Sequence, residues 1–229
     1  MAKVPGAVPV KSRLSPALSP ARAAELYRCF LLDKLDAVAS LSTVSGVVAY
    51  TPPEATAALR ALAPPGLRLL AQEGADLGER LANVMRTLLA DGHPAALAID
   101  SDSPTLPMTY VLDAARILGE RAADVVLGPC DDGGYYLIGL RTPEPTLFHD
   151  IPWSTSEVFE ATLAAARRLG LRAHRLPAWF DVDTEADLIR LRVELAAHGG
   201  GPARTRAFLT ALYGGPHGEP VPRRPVSLQ

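Results

Sequence analysis

AALAIDSDSP, residues 95–104, is the stretch of sequence that decides the fold. An apolar run from Ala95 to Ile99 leads directly into Asp100 and Asp102, and Pro104 then stops further strand pairing. Similar short aliphatic runs recur along the chain and alternate with longer segments whose apolar residues lie three and four positions apart. Strands that alternate with helices predict a mostly parallel sheet covered by helices on both faces.

The other predicted elements follow the same rules. One helix is predicted to begin at Ser19-Pro20, because serine caps helices and proline suits their first position. A second contains Leu77, Leu81 and Val84 on one side. The strands are predicted at residues 44–50, 67–71, 95–99, 124–128, 135–140 and 172–176. Because parallel sheets bind ligands beyond the carboxyl ends of their strands, polar motifs directly after strands are candidate site residues.

Composition and charge exclude several classes of protein. The chain has 229 residues, of which 48% are hydrophobic and 21% charged, as in a globular domain. A net charge of -2 without a lysine- or arginine-rich block argues against nucleic acid or an anionic membrane as the main partner. No apolar run reaches the ~20 residues of a membrane span. The two cysteines lack metal-ligand spacing, so a reduced, cytoplasmic setting is the expectation.

Asp100 and Asp102 are the first candidate site residues. Mg²⁺ takes oxygen ligands and commonly binds through one or two carboxylates together with substrate phosphates. Two carboxylates spaced i, i+2 at a strand exit can supply that geometry. A turn in which Asp and Ser side chains cap the next helix accounts for the same residues, so this segment alone leaves both interpretations open.

A second motif, residues 128–139, also follows a predicted strand. Gly133 and Gly134 allow backbone amides to approach a ligand closely, and Asp131 or Asp132 can orient sugar hydroxyls or serve as a base. Asp-Gly and Gly-Gly are also strong hairpin signals, and the two interpretations are compatible.

A third motif is Asp-Val-Asp-Thr at residues 181–184. Thr184 followed by Asp187 predicts a capped helix start. Capping does not account for Asp181 and Asp183, which alternate around a valine at a strand exit. These two carboxylates can complete a metal site.

Two segments supply cations. Lys3, Lys11 and Arg13 lie in a loop rich in proline and glycine that opens into a helix, which suits a diphosphate, although such lysines are commonly just solvated. Gln72 and Arg80 belong to a segment that again follows a strand and opens a helix. Arg80, one turn into that helix, can reach a phosphate or pair with nearby acids.

Together these segments resemble the bacterial GT-A-like glycosyltransferase family typified by arsenosugar-biosynthesis-type glycosyltransferases, in the nucleotide-diphospho-sugar transferase superfamily. The resemblance covers residues 2–210 and rests chiefly on the blocks at 100–107, 132–139, 151–154 and 181–184. It implies a GT-A-like, Rossmann-like, three-layer α/β/α fold. It also implies that Asp102 holds a metal on the nucleotide diphosphate, with Asp100 contacting ribose or metal, and that Lys11 and Arg13 face the phosphates. Residues 72–80 would lie near the nucleotide, and the loop at 132–135 would face the transferred group.

The function implied is a sugar transfer that depends on Mg²⁺ or Mn²⁺, from a nucleotide-diphosphate sugar to a small-molecule acceptor. The alternative is a nucleotidyltransferase that uses an NTP and releases pyrophosphate, because residues 181–184 also resemble the late metal-binding segment of molybdenum-cofactor guanylyltransferases. Residues 3–14 lack the dense glycine-arginine signature of those enzymes. A second alternative is a catalytically silent nucleotide-binding protein, against which the intact carboxylates argue.

The boundaries of the chain complete these expectations. We expect one domain over residues 1–200 and a tail over 201–229, with a short helix around Phe208, Leu209 and Leu212 and then a disordered segment. Members of the family usually carry an apolar strand just before the segment that begins here at Ala2. We therefore expect the first strand to be truncated and the natural chain to begin upstream of Met1.

Overall fold

The computed structural model describes residues 1–214, which form two adjoining β-sheets. The first has the order β1-β2-β3, with all three strands parallel, and the second has the order β4-β6-β5-β7. In the second sheet β6 runs antiparallel to β4 and β5, whereas β5 and β7 are parallel. The strands are β1 (Ala2–Lys3), β2 (Val47–Thr51), β3 (Arg68–Ala71), β4 (Ala96–Ile99), β5 (Val125–Pro129), β6 (Tyr135–Leu140) and β7 (Ala173–Arg175).

The two sheets meet at the start of the chain. The Met1 amino group donates a hydrogen bond of 2.7 Å to the carbonyl of Ile99, the last residue of β4. β1 consists of two residues, which pair with Tyr50 and Thr51 of β2. The amino end of β1 therefore lies beside the carboxyl end of β4, and because β1 is only two residues long, the loops that follow the two strands are close together.

Seven helices lie in the part of the chain that the structure describes. Ser19 caps α1 by accepting a bond from the amide of Arg22, and Thr184 and Asp187 form the predicted capping box at α6. Asp76 caps α3 in the same way. The helices are α1 (Pro20–Ala39), α2 (Thr56–Leu62), α3 (Leu77–Ala90), α4 (Met108–Gly119), α5 (Val158–Arg168), α6 (Glu185–Ala197) and α7 (Ala203–Tyr213).

The second sheet is buried on both faces. Leu127 and Ile138 pack in one cluster with residues of α3 and α5, while their neighbours Val126 and Leu137 pack in another with α4. Burying a large apolar side chain contributes about 1.5–3 kcal/mol, so these alternating residues fix which face each helix covers. The arrangement confirms the predicted Rossmann-like α/β fold with helices on both sides of the sheet.

α7 is fastened to α1 by a buried carboxylate. Asp33 of α1 accepts hydrogen bonds from the backbone amides of Arg204 and Thr205, at 3.1 and 2.8 Å, and from the Thr205 hydroxyl at 2.7 Å. Because the first amides of a helix lack partners within the helix, Asp33 supplies the cap of α7 from outside. The predicted disorder concerns residues 215–229, which lie outside the described residues.

Within residues 1–214, no helix is both long and apolar enough to cross a membrane.

Candidate functional site

A cleft of about 670 Å³ opens where the loops after β1, β4 and β5 meet. This volume falls within the range of small-molecule sites. Cations and carboxylates both line it: Lys3, Lys11, Arg13 and Arg80, and Asp100, Asp102, Asp132, Asp181 and Asp183.

Lys11 occupies the centre of the charged part of the cleft. Its Nζ lies 2.6 Å from Oδ1 of Asp183 and 3.2 Å from Oδ2 of Asp102, and its side chain is only 3% exposed. Burial alone would lower the pKa of Lys11, but the charges of Asp102 and Asp183 more than offset it and raise the pKa above its usual value. The ammonium is therefore charged and lies between two carboxylates.

A backbone hydrogen bond sets the distance between these two carboxylates. The amide of Val182, a fully buried residue, donates to the carbonyl of Asp102 at 3.0 Å. The strand exit at Asp102 and the segment before α6 are thereby joined, which places Asp183 opposite Asp102. Arg13 stands at the rim, 71% exposed, with its guanidinium 3.7 Å from Asp183.

Asp100 forms the floor of the cleft. Its Oδ2 accepts a bond of 2.5 Å from the Ser103 hydroxyl, and its Oδ1 lies 4.0 Å from Nζ of Lys34. Oδ1 is buried and has no hydrogen-bond partner among the described residues. Burial raises the pKa of Asp100 and lowers the pKa of Lys34, whose ammonium donates to the Ser103 carbonyl at 2.7 Å.

Asp132 and Asp181 form a second acidic pair that lines the cleft. Together with the Cys130 thiol they offer ligand atoms that all lie within 4.8 Å of one another. Burial and the charges of Asp132 and Asp183 raise the pKa of Asp181 to about 7. Burial likewise raises the pKa of Cys130, so this thiol is no nucleophile at neutral pH.

The Asp-Gly-Gly-Tyr motif is the tip of a β-hairpin between β5 and β6, as its turn residues predicted. Gly133 has φ +89°, and an added Cβ would lie 2.0 Å from the carbonyl oxygen of Ser156. The amide of Phe159 also donates to the Gly133 carbonyl at 2.8 Å. The hairpin tip is thus docked against residues 153–156, which line the same cleft.

The two adjacent acids of this hairpin point to different places. Asp132 lines the cleft and accepts a bond of 2.8 Å from the amide of Gly134. Asp131 instead pairs with Arg190 of α6 at 2.5 Å and is not among the residues that line the cleft. The structure therefore brings only Asp132 of the two predicted bases to the site.

The remaining predicted residues differ in how free their side chains are. Lys3 is exposed at the cleft, and its amide and carbonyl both bond to the Tyr27 hydroxyl. Arg80 lines the cleft while its Nε donates to the Gly74 carbonyl at 3.0 Å. Gln72 is buried, and its amide donates to the carbonyls of Ala49 and Ala2 at 2.8 and 3.4 Å. Gln72 therefore fastens β1 to β2 beneath the site.

Sequence reasoning did not select several residues of this site. Lys34 could have been found, because it lies four positions after Phe30 and three after Leu31, inside the apolar stripe of α1. Residues 153–156 are a tryptophan followed by three hydroxyl-bearing residues, and only the first two belong to the sequence block at 151–154. Tyr27, whose hydroxyl also bonds Ser101 at 2.9 Å, gave no signal of its own.

Comparisons with known proteins identify a family and similar folds. The family model described as "Uncharacterized protein conserved in bacteria (DUF2064)" matches residues 34–155. The crystal structure of a "putative nucleotide-diphospho-sugar transferase" from Desulfovibrio desulfuricans G20 is similar, with a TM-score of 0.80 and 34% identity over 92% of this chain and 91% of that chain. None of the curated proteins matches.

A more distant likeness concerns the fold alone. The structure of CMP:2-keto-3-deoxy-manno-octonic acid synthetase complexed with CTP has a TM-score of 0.55 and 15% identity, over 86% of this chain and 96% of that chain. At this identity the comparison carries the fold and no residue assignment.

Proposed function

The chain belongs to the bacterial family DUF2064, and from its likeness to the putative nucleotide-diphospho-sugar transferase we propose that it transfers a sugar from a nucleotide-diphosphate sugar to a small-molecule acceptor. One observation supports this most strongly: cations and carboxylates line a single cleft, with Lys11 held between Asp102 and Asp183. Sugar transfer leaves a nucleoside diphosphate, and preorganised cations stabilise the charge that develops on it. Lys3, Lys11, Arg13 and Arg80 are the residues for that task.

A divalent cation, Mg²⁺ or Mn²⁺, fits the same part of the cleft. Asp102 and Asp183 offer carboxylate oxygens, the ligands that these ions prefer, and they lie close enough together for the Lys11 ammonium to contact both. Asp100 and Asp181 lie beside this pair and complete the proposed ligand set. A metal bound there supplies Lewis-acid stabilisation of the leaving diphosphate.

Asp132 is the proposed base for the acceptor hydroxyl. It lines the cleft, and its carboxylate lies within 4.8 Å of that of Asp181, one of the proposed metal ligands. Trp153 and the hydroxyls of Ser154 and Ser156 line the same part of the cleft and offer an apolar surface with polar groups to a small hydroxylated acceptor. The narrower hypothesis of an arsenosugar-type glycosyltransferase concerns this acceptor and rests on the sequence motifs.

Nucleotidyl transfer is the second candidate function. It is favoured by the convergence of Asp102 and Asp183 on one position, since a metal there can equally serve the α-phosphate of an NTP. The two functions differ in what is released, which is nucleoside diphosphate in one and pyrophosphate in the other. A protein that binds nucleotide without chemistry would release neither.

The test is an incubation with a panel of nucleotide sugars and of NTPs, each with and without Mg²⁺ or Mn²⁺. We expect metal-dependent release of nucleoside diphosphate from one nucleotide sugar and little pyrophosphate from NTPs. Pyrophosphate release that rises with a phosphorylated or carboxylated co-substrate would establish the second candidate instead.

The adjacent acids of the hairpin provide matched variants for this assay. Asp132→Asn should lower turnover by about 10²-fold or more, as expected for loss of a general base. Asp131→Asn removes an exposed ion pair outside the cleft and should leave turnover within about twofold, since such pairs contribute little. Equal losses in the two variants would remove Asp132 from the proposed role.

A further inference from the structure

The position of the Lys11 ammonium conflicts with metal binding. Nζ lies within 3.2 Å of an oxygen of both Asp102 and Asp183, so a divalent cation held by the same two carboxylates would be a near neighbour of this ammonium. Two cations at such a distance repel each other strongly in a partly buried site. The ammonium and the metal therefore cannot share this pair of carboxylates.

We propose that Lys11 is an exchangeable counter-cation: it neutralises Asp102 and Asp183 in the metal-free protein and turns to the diphosphate when the metal takes its place. The inference depends on the proposed function for the diphosphate, and it adds a coupling between the two ligands. Metal binding releases Lys11 for the phosphates, and phosphate binding draws Lys11 away from the metal ligands.

The local structure suits such an exchange. The Lys11 backbone is in the left-handed region, with φ 52°, directly before the short 3₁₀ helix Ser12–Leu14. Leu14 is fully buried, so the backbone is anchored while the long Lys11 side chain has several rotatable bonds. Non-glycine residues held in this region are uncommon and are characteristic of functional positions.

Arg13 provides the contrast. It is 71% exposed and its nearest nitrogen is 3.7 Å from Asp183, so a phosphate can reach it without breaking a close ion pair. Lys11, with a side chain 3% exposed, has two of its three N–H donors directed at carboxylates, so it must turn away from them to become the main counter-ion of a phosphate. Both residues are cationic and line the cleft, but Lys11 is in close contact with both Asp102 and Asp183, whereas Arg13 lies near Asp183 alone.

Exchange predicts a measurable cooperativity. Binding of the metal and of the diphosphate must favour each other by the same factor. Direct metal–phosphate bonds contribute to that factor and persist when Lys11 is replaced, whereas the part due to Lys11 is lost. Lys11→Met keeps the length of the side chain and removes the charge, so it isolates this part.

The experiment is calorimetric titration of Mn²⁺ with and without inorganic pyrophosphate, corrected for the metal–pyrophosphate complex that forms in solution. We expect Lys11→Met to bind Mn²⁺ alone about tenfold more tightly than the unmodified protein, and to bind pyrophosphate at saturating Mn²⁺ about tenfold more weakly. The ratio of the Mn²⁺ dissociation constants without and with pyrophosphate should shrink by at least about tenfold. In Arg13→Met pyrophosphate should bind more weakly while the ratio is unchanged.

An unchanged ratio in Lys11→Met overturns the proposal, because Lys11 then stays on its carboxylates throughout. Equal changes in the ratio for Lys11→Met and Arg13→Met also overturn it, since general electrostatics would account for both. Lys11→Gln serves if Lys11→Met is unfolded in a thermal melt. Because the probes are Mn²⁺ and pyrophosphate, failure to consume any nucleotide sugar would contradict the proposed function and leave this result standing.

Discussion

Asp33 and Lys34 are neighbours on α1, but they belong to two regions in which the buried carboxylate differs in how completely it is hydrogen-bonded. Towards α7, the Asp33 carboxylate receives two backbone amides, a hydroxyl and the Arg204 guanidinium, so both of its oxygens are bonded. Towards the cleft, Lys34 faces Asp100, of which one oxygen bonds a serine and the other has no hydrogen-bond partner among the described residues.

This difference distinguishes a structural acid, which stabilises the fold, from a site acid, which is available to a ligand. A buried carboxylate with all of its hydrogen bonds stabilises the elements that provide them. A buried carboxylate with an unused oxygen and a raised pKa, such as Asp100, is costly to the folded state and persists where a ligand can use it. Variants in the two regions should therefore change different properties.

Asp33→Ala should have the largest effect, and the effect should be on stability. It leaves the first amides of α7 and the buried Thr205 hydroxyl without their acceptor, which should lower the free energy of unfolding by about 3 kcal/mol. Urea unfolding measures this, with Asp36→Ala as the control. Asp36 pairs with the same arginine but is 49% exposed, so its loss should cost less than about 1 kcal/mol. Similar losses in both variants would break the comparison.

Asp102→Asn should affect binding in place of stability. With Asp102 gone the metal loses a ligand, so the metal-dependent part of nucleoside diphosphate affinity should fall by about tenfold or more, equivalent to about 1.4 kcal/mol. Asp183 still neutralises Lys11, so the urea midpoint should change little. Calorimetry with and without Mg²⁺ checks this against Asp131→Asn, whose metal dependence should equal that of the unmodified protein.

Asp181→Asn should have the smallest effect, and its sign should depend on pH. The pKa of Asp181 is raised from 3.8 to about 7 in the folded protein, so its negative charge destabilises the metal-free fold above pH 7. This cost disappears as pH falls from about 7 towards 4, because the folded protein then holds a proton that the unfolded chain has released.

The variant lacks this cost. It should be more stable than the unmodified protein by about 1 kcal/mol at pH 8, a value reduced by solvent screening, and equally stable near pH 4. Urea unfolding in the presence of a chelator measures the difference. A variant that is less stable at pH 8 would mean that Asp181 is a structural acid like Asp33.

The sequence predicted the elements better than the contacts between them. Every predicted strand is present within a few residues, because short aliphatic runs between turn residues carry their own signal. β6 runs antiparallel to β5, and the Asp-Gly and Gly-Gly pairs between them predicted this hairpin from the local sequence. The cap that Asp33 gives to α7 joins residues 171 positions apart, and no local sequence pattern predicts it.

The candidate site shows the same division. Asp102 follows β4 closely, and it lines one cleft with Asp132 and Asp183, which lie in the segments after β5 and β7. Which of two adjacent acids enters the cleft depends on a partner in α6, and Asp131 turned to Arg190 for that reason. The hydrogen bonds of the buried Gln72 amide likewise depend on which strands are neighbours, and the local sequence does not predict this.

The hydrogen bond from Val182 to the carbonyl of Asp102 joins main chain to main chain. It requires no particular side chain at either residue, so exchanging the acids around it would leave the spacing of the two loops unchanged. Replacement of these carboxylates by amides, imidazoles or thiols would therefore change the chemistry of the cleft and keep the backbone hydrogen bond that joins the two loops. The positions of Asp102 and Asp183 therefore suit protein design, because new pairs of side chains can be introduced there at a constant backbone separation.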